Sequence, residues 1–181
     1  MRRERGHPLH APPHFDDGEG GVYLITAACY RHNPIFASPE LLSWLTDSLL
    51  QTFERESYAC DAWIIMPNHY HALLKIDSLK RFSETLRKTH ARVATYVNGK
   101  QSRRGRMVWQ RYTDRRMRNE DHYWATVNYI HGNPVKHGHV SNVDDWPWSS
   151  WRGYVEEQGR EKMDTLMREY PVLNYREGWD D

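Results

Sequence analysis

Hydrophobic and polar positions follow two different periods along the chain, and these periods predict its elements. Val22 to Cys29 is a β-prone run with Val-Tyr-Leu-Ile-Thr at its start, and it reads as a strand. Pro39 to Glu54 reads as a helix. Leu41, Leu42, Leu45, Leu49 and Phe53 recur at about 3.6 residues, Ser38 stands at the cap and Pro39 at the first helical position. Cys60 to Met66 and His69 to Ile76 read as two antiparallel strands around Pro67-Asn68. Ser83 to Val97 reads as a second helix, capped by Ser83 and ended by Asn98-Gly99. A basic loop follows over Gln101 to Arg106, then a strand over Val108 to Met117. Glu120 to His131 reads as a third helix, stopped by Gly132 and Pro134. The Trp146 to Ser150 stretch reads as a turn into a short helix, and the pattern after it is weak.

The order β-α-β-β-α-β followed by a helix predicts an α+β fold. It is a ferredoxin-like antiparallel sheet with helices on one face, plus a C-terminal short helix and tail. The length of 181 residues suits one domain with tails. The expected division is a flexible basic, Pro-rich arm over 1–20, the folded domain over 21–155 and a C-terminal tail over 156–181.

Composition narrows the function classes. No apolar run approaches about 18 residues, so no membrane span is expected. The Arg-rich start has no apolar stretch behind it and does not read as a signal peptide. Two cysteines, Cys29 and Cys60, lack metal-type spacing and are too few for a disulfide framework, which suggests reduced thiols in a cytoplasm. The net charge of +1 hides an asymmetry: Lys80 to Arg118 holds thirteen Lys or Arg against two acids, Glu84 and Asp114. A basic block of this density fits a polyanion partner or a solvated charged face.

The chemistry concentrates in Trp63-Ile-Ile-Met-Pro-Asn-His-Tyr-His-Ala-Leu-Leu74. Residues i and i+2 of a strand share a face, so His69 and His71 project together, while Tyr70, Ala72, Leu74 and Ile76 line the opposite face. Two imidazoles on one strand face make half of a metal site. In the third helix, Tyr123, Val127 and Ile130 form a core-facing stripe. Tyr129 lies off that stripe, beside His122, Ala125 and Thr126, and is expected to face a cleft or solvent. Asn133 shares its face if the helix persists that far. Otherwise Asn133 caps the turn.

These residues carry a resemblance. Ala62-Trp-Ile-Ile-Met-Pro-Asn-His-Tyr-His71 resembles the metal-binding segment of the HUH single-strand DNA transposases. Asn128-Tyr-Ile-His-Gly-Asn-Pro-Val-Lys-His-Gly138 resembles the tyrosine segment of their REP-associated branch. Val108-Trp-Gln-Arg111, Met117-Arg-Asn119 and Asp145-Trp-Pro-Trp-Ser-Ser150 match that branch in the same order, and the likeness runs from Val22 to Tyr154. The stretch from Trp109 to Arg118 is one residue shorter than in such relatives, and Asp114-Arg115 stands where many have Glu-His.

The resemblance implies a metal-dependent enzyme that cleaves and rejoins single-stranded DNA at palindromic REP-like hairpins. It implies Tyr129 as the nucleophile that forms a 5′-phosphotyrosine, and His69, His71 and Asn133 as ligands of Mg²⁺ or Mn²⁺. The donor set suits Mn²⁺ at least as well as Mg²⁺. The candidate DNA contacts are Arg103, Arg104, Arg106, Trp109, Arg111, Arg115, Arg116 and Arg118. The implied setting is cytoplasmic and nucleoid-associated, with a monomer favoured over a dimer. Three other readings remain open: a non-catalytic hairpin-binding regulator, a metal nuclease that uses water, and a structural RNA-binding protein.

Overall fold

The computed structural model describes residues 20–172. The remainder of the expected N-terminal arm and the end of the expected tail lie outside the described residues. The elements are β1 (Gly21–Ala28), α1 (Pro39–Arg55), β2 (Cys60–Ile65), β3 (His69–Ile76), α2 (Leu79–Lys100), β4 (Thr113–Arg116), α3 (Glu120–Lys136), α4 (Trp151–Gln158) and α5 (Arg160–Glu169). The four strands form one antiparallel sheet in the order β2-β3-β1-β4. This is the ferredoxin-like arrangement expected from the element order.

Alternation assigns the two faces of the sheet. Tyr70 points toward α2, where its hydroxyl meets His90 Nε2 at 2.9 Å. α1 packs beside α2 on that face, tied by Arg92, whose Nη2 donates to Ser48 Oγ and Thr52 Oγ1 at 3.1 Å each. His69 and His71 point to the other face, which α3 crosses. α4 and α5 then close over the far side of α3. Asn128 Nδ2 donates to the carbonyls of Leu166 and Tyr170 at 2.8 and 2.7 Å, and Met163 of α5 is fully buried. Helix α3 is therefore enclosed on both sides, and every residue from Ala125 to His131 is buried.

Four boundaries differ from the sequence expectations, each for a local reason. The cap of α2 is Ser78, whose Oγ accepts from the Arg81 N–H at 3.3 Å, and Ser83 lies inside the helix. That helix also runs past Asn98-Gly99, because Asn98 is engaged by the loop beyond it. The strand expected over Val108 to Met117 is interrupted. Trp109 bridges Cys29 and Thr113 pairs with Thr26, so the 109–113 segment carries one residue more than the 26–29 segment opposite it. Finally, α3 continues through Gly132 and Pro134 to Lys136. Packing decides this: Asn133 and Pro134 are buried, and the His137 N–H donates to the Asn133 carbonyl at 3.0 Å. A proline so near a helix end forfeits a single backbone bond. The weakly patterned C-terminal stretch also holds a helix, α5, which docks through Met163 and Leu166.

The expected reduced thiols are buried or half-buried, and burial pushes both Cys29 and Cys60 up to about 12. Among the described residues, no helix is long and apolar enough to cross a membrane.

Two tests follow from this packing. Asn128→Ala leaves two helix-end carbonyls without their donor and is expected to cost on the order of 1–3 kcal/mol. Hydrogen exchange should then accelerate in α5 before it does in α1. The second concerns pH. Burial holds the His90 and His131 imidazoles down at about 3, so both are neutral in the fold and protonate readily when unfolded. Their stabilising contribution is full above about 6.5 and is lost as pH falls from there toward about 3. In urea titrations, His90→Gln should lower stability near neutrality and flatten that acid limb by about one proton.

Candidate functional site

β3 and α3 build the site together. Thr26 of β1 lies opposite His71, and Ala28 lies opposite His69. Thr26 Oγ1 is 2.8 Å from His71 Nδ1, and Asn68 Oδ1 is 2.7 Å from His69 Nδ1. With the Asn68 oxygen as acceptor, His69 Nδ1 is the donor, the tautomer that leaves an Nε2 lone pair available. Both Nε2 atoms are thereby turned toward α3. The two rings are T-shaped, with centroids 4.9 Å apart.

α3 brings the other half. The Tyr129 hydroxyl is 3.3 Å from His71 Nε2, and Asn133 Oδ1 is 3.1 Å from His69 Nε2. The same chain supplies all four side chains. His69, His71, Tyr129 and Asn133 are all buried, with Tyr129 at 3% exposure. The expectation that Tyr129 faces a cleft or solvent is corrected here. Its small neighbours Ala125 and Thr126 are themselves buried, because α3 is covered on both sides.

The polar accounting at Asn133 is unusual. His69 Nε2 and Asn133 Oδ1 face each other at 3.1 Å, a hydrogen bond when Nε2 carries a proton and two opposed lone pairs when it does not. Asn133 Nδ2 is buried with no hydrogen-bond partner among the described residues. With Nε2 unprotonated, a rotated amide whose Nδ2 donates to Nε2, or a cation that both acceptors share, satisfies the pair. Two oriented imidazoles and a buried amide oxygen therefore fit a divalent ion, with Nδ1 partners of the kind that fix metal-binding histidines. Among the described residues, no group of three His, Cys, Asp or Glu is placed to hold a metal, so the candidate donors here are limited to two histidines and a neutral amide.

Two residues beside the site were not anticipated. Lys136 Nζ lies 5.4 Å above the Tyr129 ring, and the His137 ring lies 5.4 Å from the His69 ring. Both follow Asn133 by one helical turn. Continuing the helical period through Pro134 would have found them.

The basic candidates divide. Arg103, Arg104, Arg111 and Arg118 are exposed. Arg115 pairs with Leu24 and so shares the face of Thr26 and His71. Arg116 points to the other face, and its Nη2 donates to the Gly20 carbonyl at 3.2 Å. Arg106 is a brace: its Nε donates to Asn98 Oδ1 at 2.9 Å and its Nη2 to Gln101 Oε1 at 2.6 Å. Trp109 stacks on His90 at 4.4 Å and on Phe36 at 5.3 Å, so packing already engages its ring.

No protein-family model matches the chain. A REP-associated tyrosine transposase of Escherichia coli K12 is 29% identical over 135 residues, covering 74% of this chain and 78% of that protein. A putative REP-associated tyrosine transposase of Haemophilus influenzae is 26% identical over 153 residues, covering 78% of this chain and 85% of that protein. Among solved structures, a REP-associated tyrosine transposase bound to a REP hairpin superposes with a TM-score of 0.65 at 22% identity. It covers 82% of this chain and 87% of its own, and it supports the fold. Along most of its length this chain is similar to proteins named REP-associated tyrosine transposases, and it shares the fold of a solved one.

Proposed function

We propose that the protein cleaves and rejoins single-stranded DNA beside REP-like hairpins, with Tyr129 as nucleophile. The observation that carries this reading is the Tyr129 hydroxyl 3.3 Å from His71 Nε2, within one chain. A phenol beside an oriented imidazole pair is a nucleophile with groups next to it that manage its charge and that of a phosphate. The relatives' names and the hairpin bound to the solved one support the substrate class.

In this reading Tyr129 Oη attacks the scissile phosphorus and the P–O3′ bond breaks. The products are a 5′-phosphotyrosine and a strand ending in a 3′-hydroxyl, and the phenol proton leaves through the site to that hydroxyl. The phosphotyrosine conserves the bond energy, so a second 3′-hydroxyl can reverse the step and join strands. His69, His71 and Asn133 would hold Mg²⁺ or Mn²⁺, which when bound polarises the phosphate. Asn68 and Thr26 orient the two imidazoles. Lys136 adds a positive charge over the ring of the attacking residue. The exposed Arg103, Arg104, Arg111 and Arg118, with Arg115 on the histidine face, bind backbone phosphates. A site complete within one chain suits a monomer working on chromosomal DNA in the cytoplasm.

The deciding experiment incubates the protein with a labelled hairpin oligonucleotide carrying single-stranded flanks, in Mn²⁺ or Mg²⁺, and resolves it on a denaturing gel. Label should migrate with the protein and vanish in Tyr129→Phe, while hairpin affinity stays within about twofold. Cleaved DNA with no adduct would mean hydrolysis by water, and tight binding with no cleavage would mean a regulator.

His71→Ala should lower adduct formation by on the order of a hundredfold or more, again without loss of hairpin binding. Chelation should stop the wild-type reaction and added Mn²⁺ should restore it. Unchanged activity in His71→Ala would reduce the pair to packing residues.

A further inference from the structure

The His69 end of the sheet carries a second surface, separate from the buried site. Met107 is the most exposed large apolar side chain among the described residues, at 60%, and Tyr30 is exposed at 36%. The backbone brings the two segments together. The Tyr30 N–H donates to the Val108 carbonyl at 2.8 Å, and Cys29 pairs with Trp109. The same segment touches the site, because the Cys29 N–H donates to the carbonyl of Asn68, whose side chain holds His69.

The loop bearing Met107 is held in shape. Arg106 and Asn98 exchange hydrogen bonds: Arg106 Nε donates to Asn98 Oδ1 and Asn98 Nδ2 donates to the Arg106 carbonyl. Gln101 accepts from Arg106 Nη2 and donates through Nε2 to the Ile35 carbonyl. Three of the four non-glycine residues with left-handed backbones, Arg31, His32 and Ser102, flank this surface. A braced loop that presents an apolar side chain to solvent loses little entropy when something binds it.

The rim is cationic. Arg31 lies over the Tyr30 ring at 5.3 Å, and Arg103 and Arg104 are exposed. None of the three has a carboxylate partner among the described residues, and nearby Glu40 is occupied by Lys100 at 3.3 Å. An aromatic face and a thioether ringed by arginines fit a flat apolar group attached to phosphates.

We propose that Tyr30 and Met107 form a platform on which unpaired DNA bases stack beside the cleavage site, with Arg31, Arg103 and Arg104 holding the adjoining phosphates. Base stacking of this kind tolerates any sequence, because every base has a π face. Charge complementarity with the arginine rim favours a nucleic acid over an apolar protein segment. The proposal rests on the single-strand reading above and says where the flanking strand lies.

The test uses the full chain and hairpin oligonucleotides with 2-aminopurine at successive stem and flank positions. Binding of wild-type protein should change the fluorescence at one or two of the flank positions. Tyr30→Ala and Met107→Ala should abolish that change and weaken affinity by on the order of tenfold each. Met107→Leu should retain both. Both residues are solvent-facing, so circular dichroism should match wild type. Arg103→Ala and Arg104→Ala should each flatten the slope of log affinity against log salt by about 0.7. Unchanged fluorescence and affinity in Tyr30→Ala and Met107→Ala would overturn the platform, as would a signal confined to the paired stem. Tyr129-dependent adduct formation by the same variants would then show that the catalytic reading survives. Loss of the signal with no adduct in wild type would leave the platform standing and overturn the catalytic reading instead.

Discussion

The register between β1 and β3 is the constraint on which the site depends. Because Thr26 lies opposite His71, the hydroxyl meets Nδ1 and Nε2 is left to face α3. A slip of one residue would turn both histidines to the α1–α2 face and place Tyr70 under Tyr129. The sheet is buried on both faces here, so such a slip would also expel apolar side chains such as Leu73 and Leu74 from their layers. The energy that fixes the geometry of the site is thus ordinary hydrophobic burial distributed over the whole strand. The imidazoles themselves need contribute nothing to stability.

Helix α3 supplies the complementary half, and it is unusually enclosed for a helix bearing so many polar groups. Asn128, His131 and Asn133 are all buried in it. Each points in a different direction and is answered by a different layer. Asn128 holds the end of α5, His131 meets Ser150 at the start of α4, and Asn133 meets β3. Polar groups with such separated partners specify the rotation of a helix about its axis, which apolar contacts alone define loosely. That rotation is what aims Tyr129 at His71. The C-terminal helices therefore belong to the structure that supports α3.

The parts of this arrangement that depend on short-range periodicity were legible in the sequence. The alternation around His69-Tyr70-His71 gives the facing pair, and Ser38-Pro39 gives the start of α1, where the Leu41 N–H meets Ser38 Oγ. The parts that depend on partners distant in sequence were not. Ser78 and Ser83 are equally good caps by composition, and only the packing of Leu79 and Phe82 into the core selects the first. Gly132 and Pro134 signal a stop, yet burial of Asn133 carries α3 beyond them. Tyr129 has polar and small neighbours that suggest exposure, yet that side of α3 lies on β3 against His71, a partner distant in sequence that no local pattern could report.

Charge shows the same limit from another side. Thirteen cations between Lys80 and Arg118 look like one surface in the sequence. In the fold they serve different tasks. Arg92 ties α2 to α1, Arg106 shapes a loop, and Arg116 reaches a backbone carbonyl, each through hydrogen bonds that a solvated charge would not make. A guanidinium with several fixed acceptors is a planar cross-link as much as a charge. Only the residues left without such acceptors can give up their hydration to a phosphate at low cost. The cationic surface left for a phosphate is therefore smaller than the charge count suggests. Arg106 spends its donors internally so that Arg103 and Arg104, in the same loop, can present theirs outward.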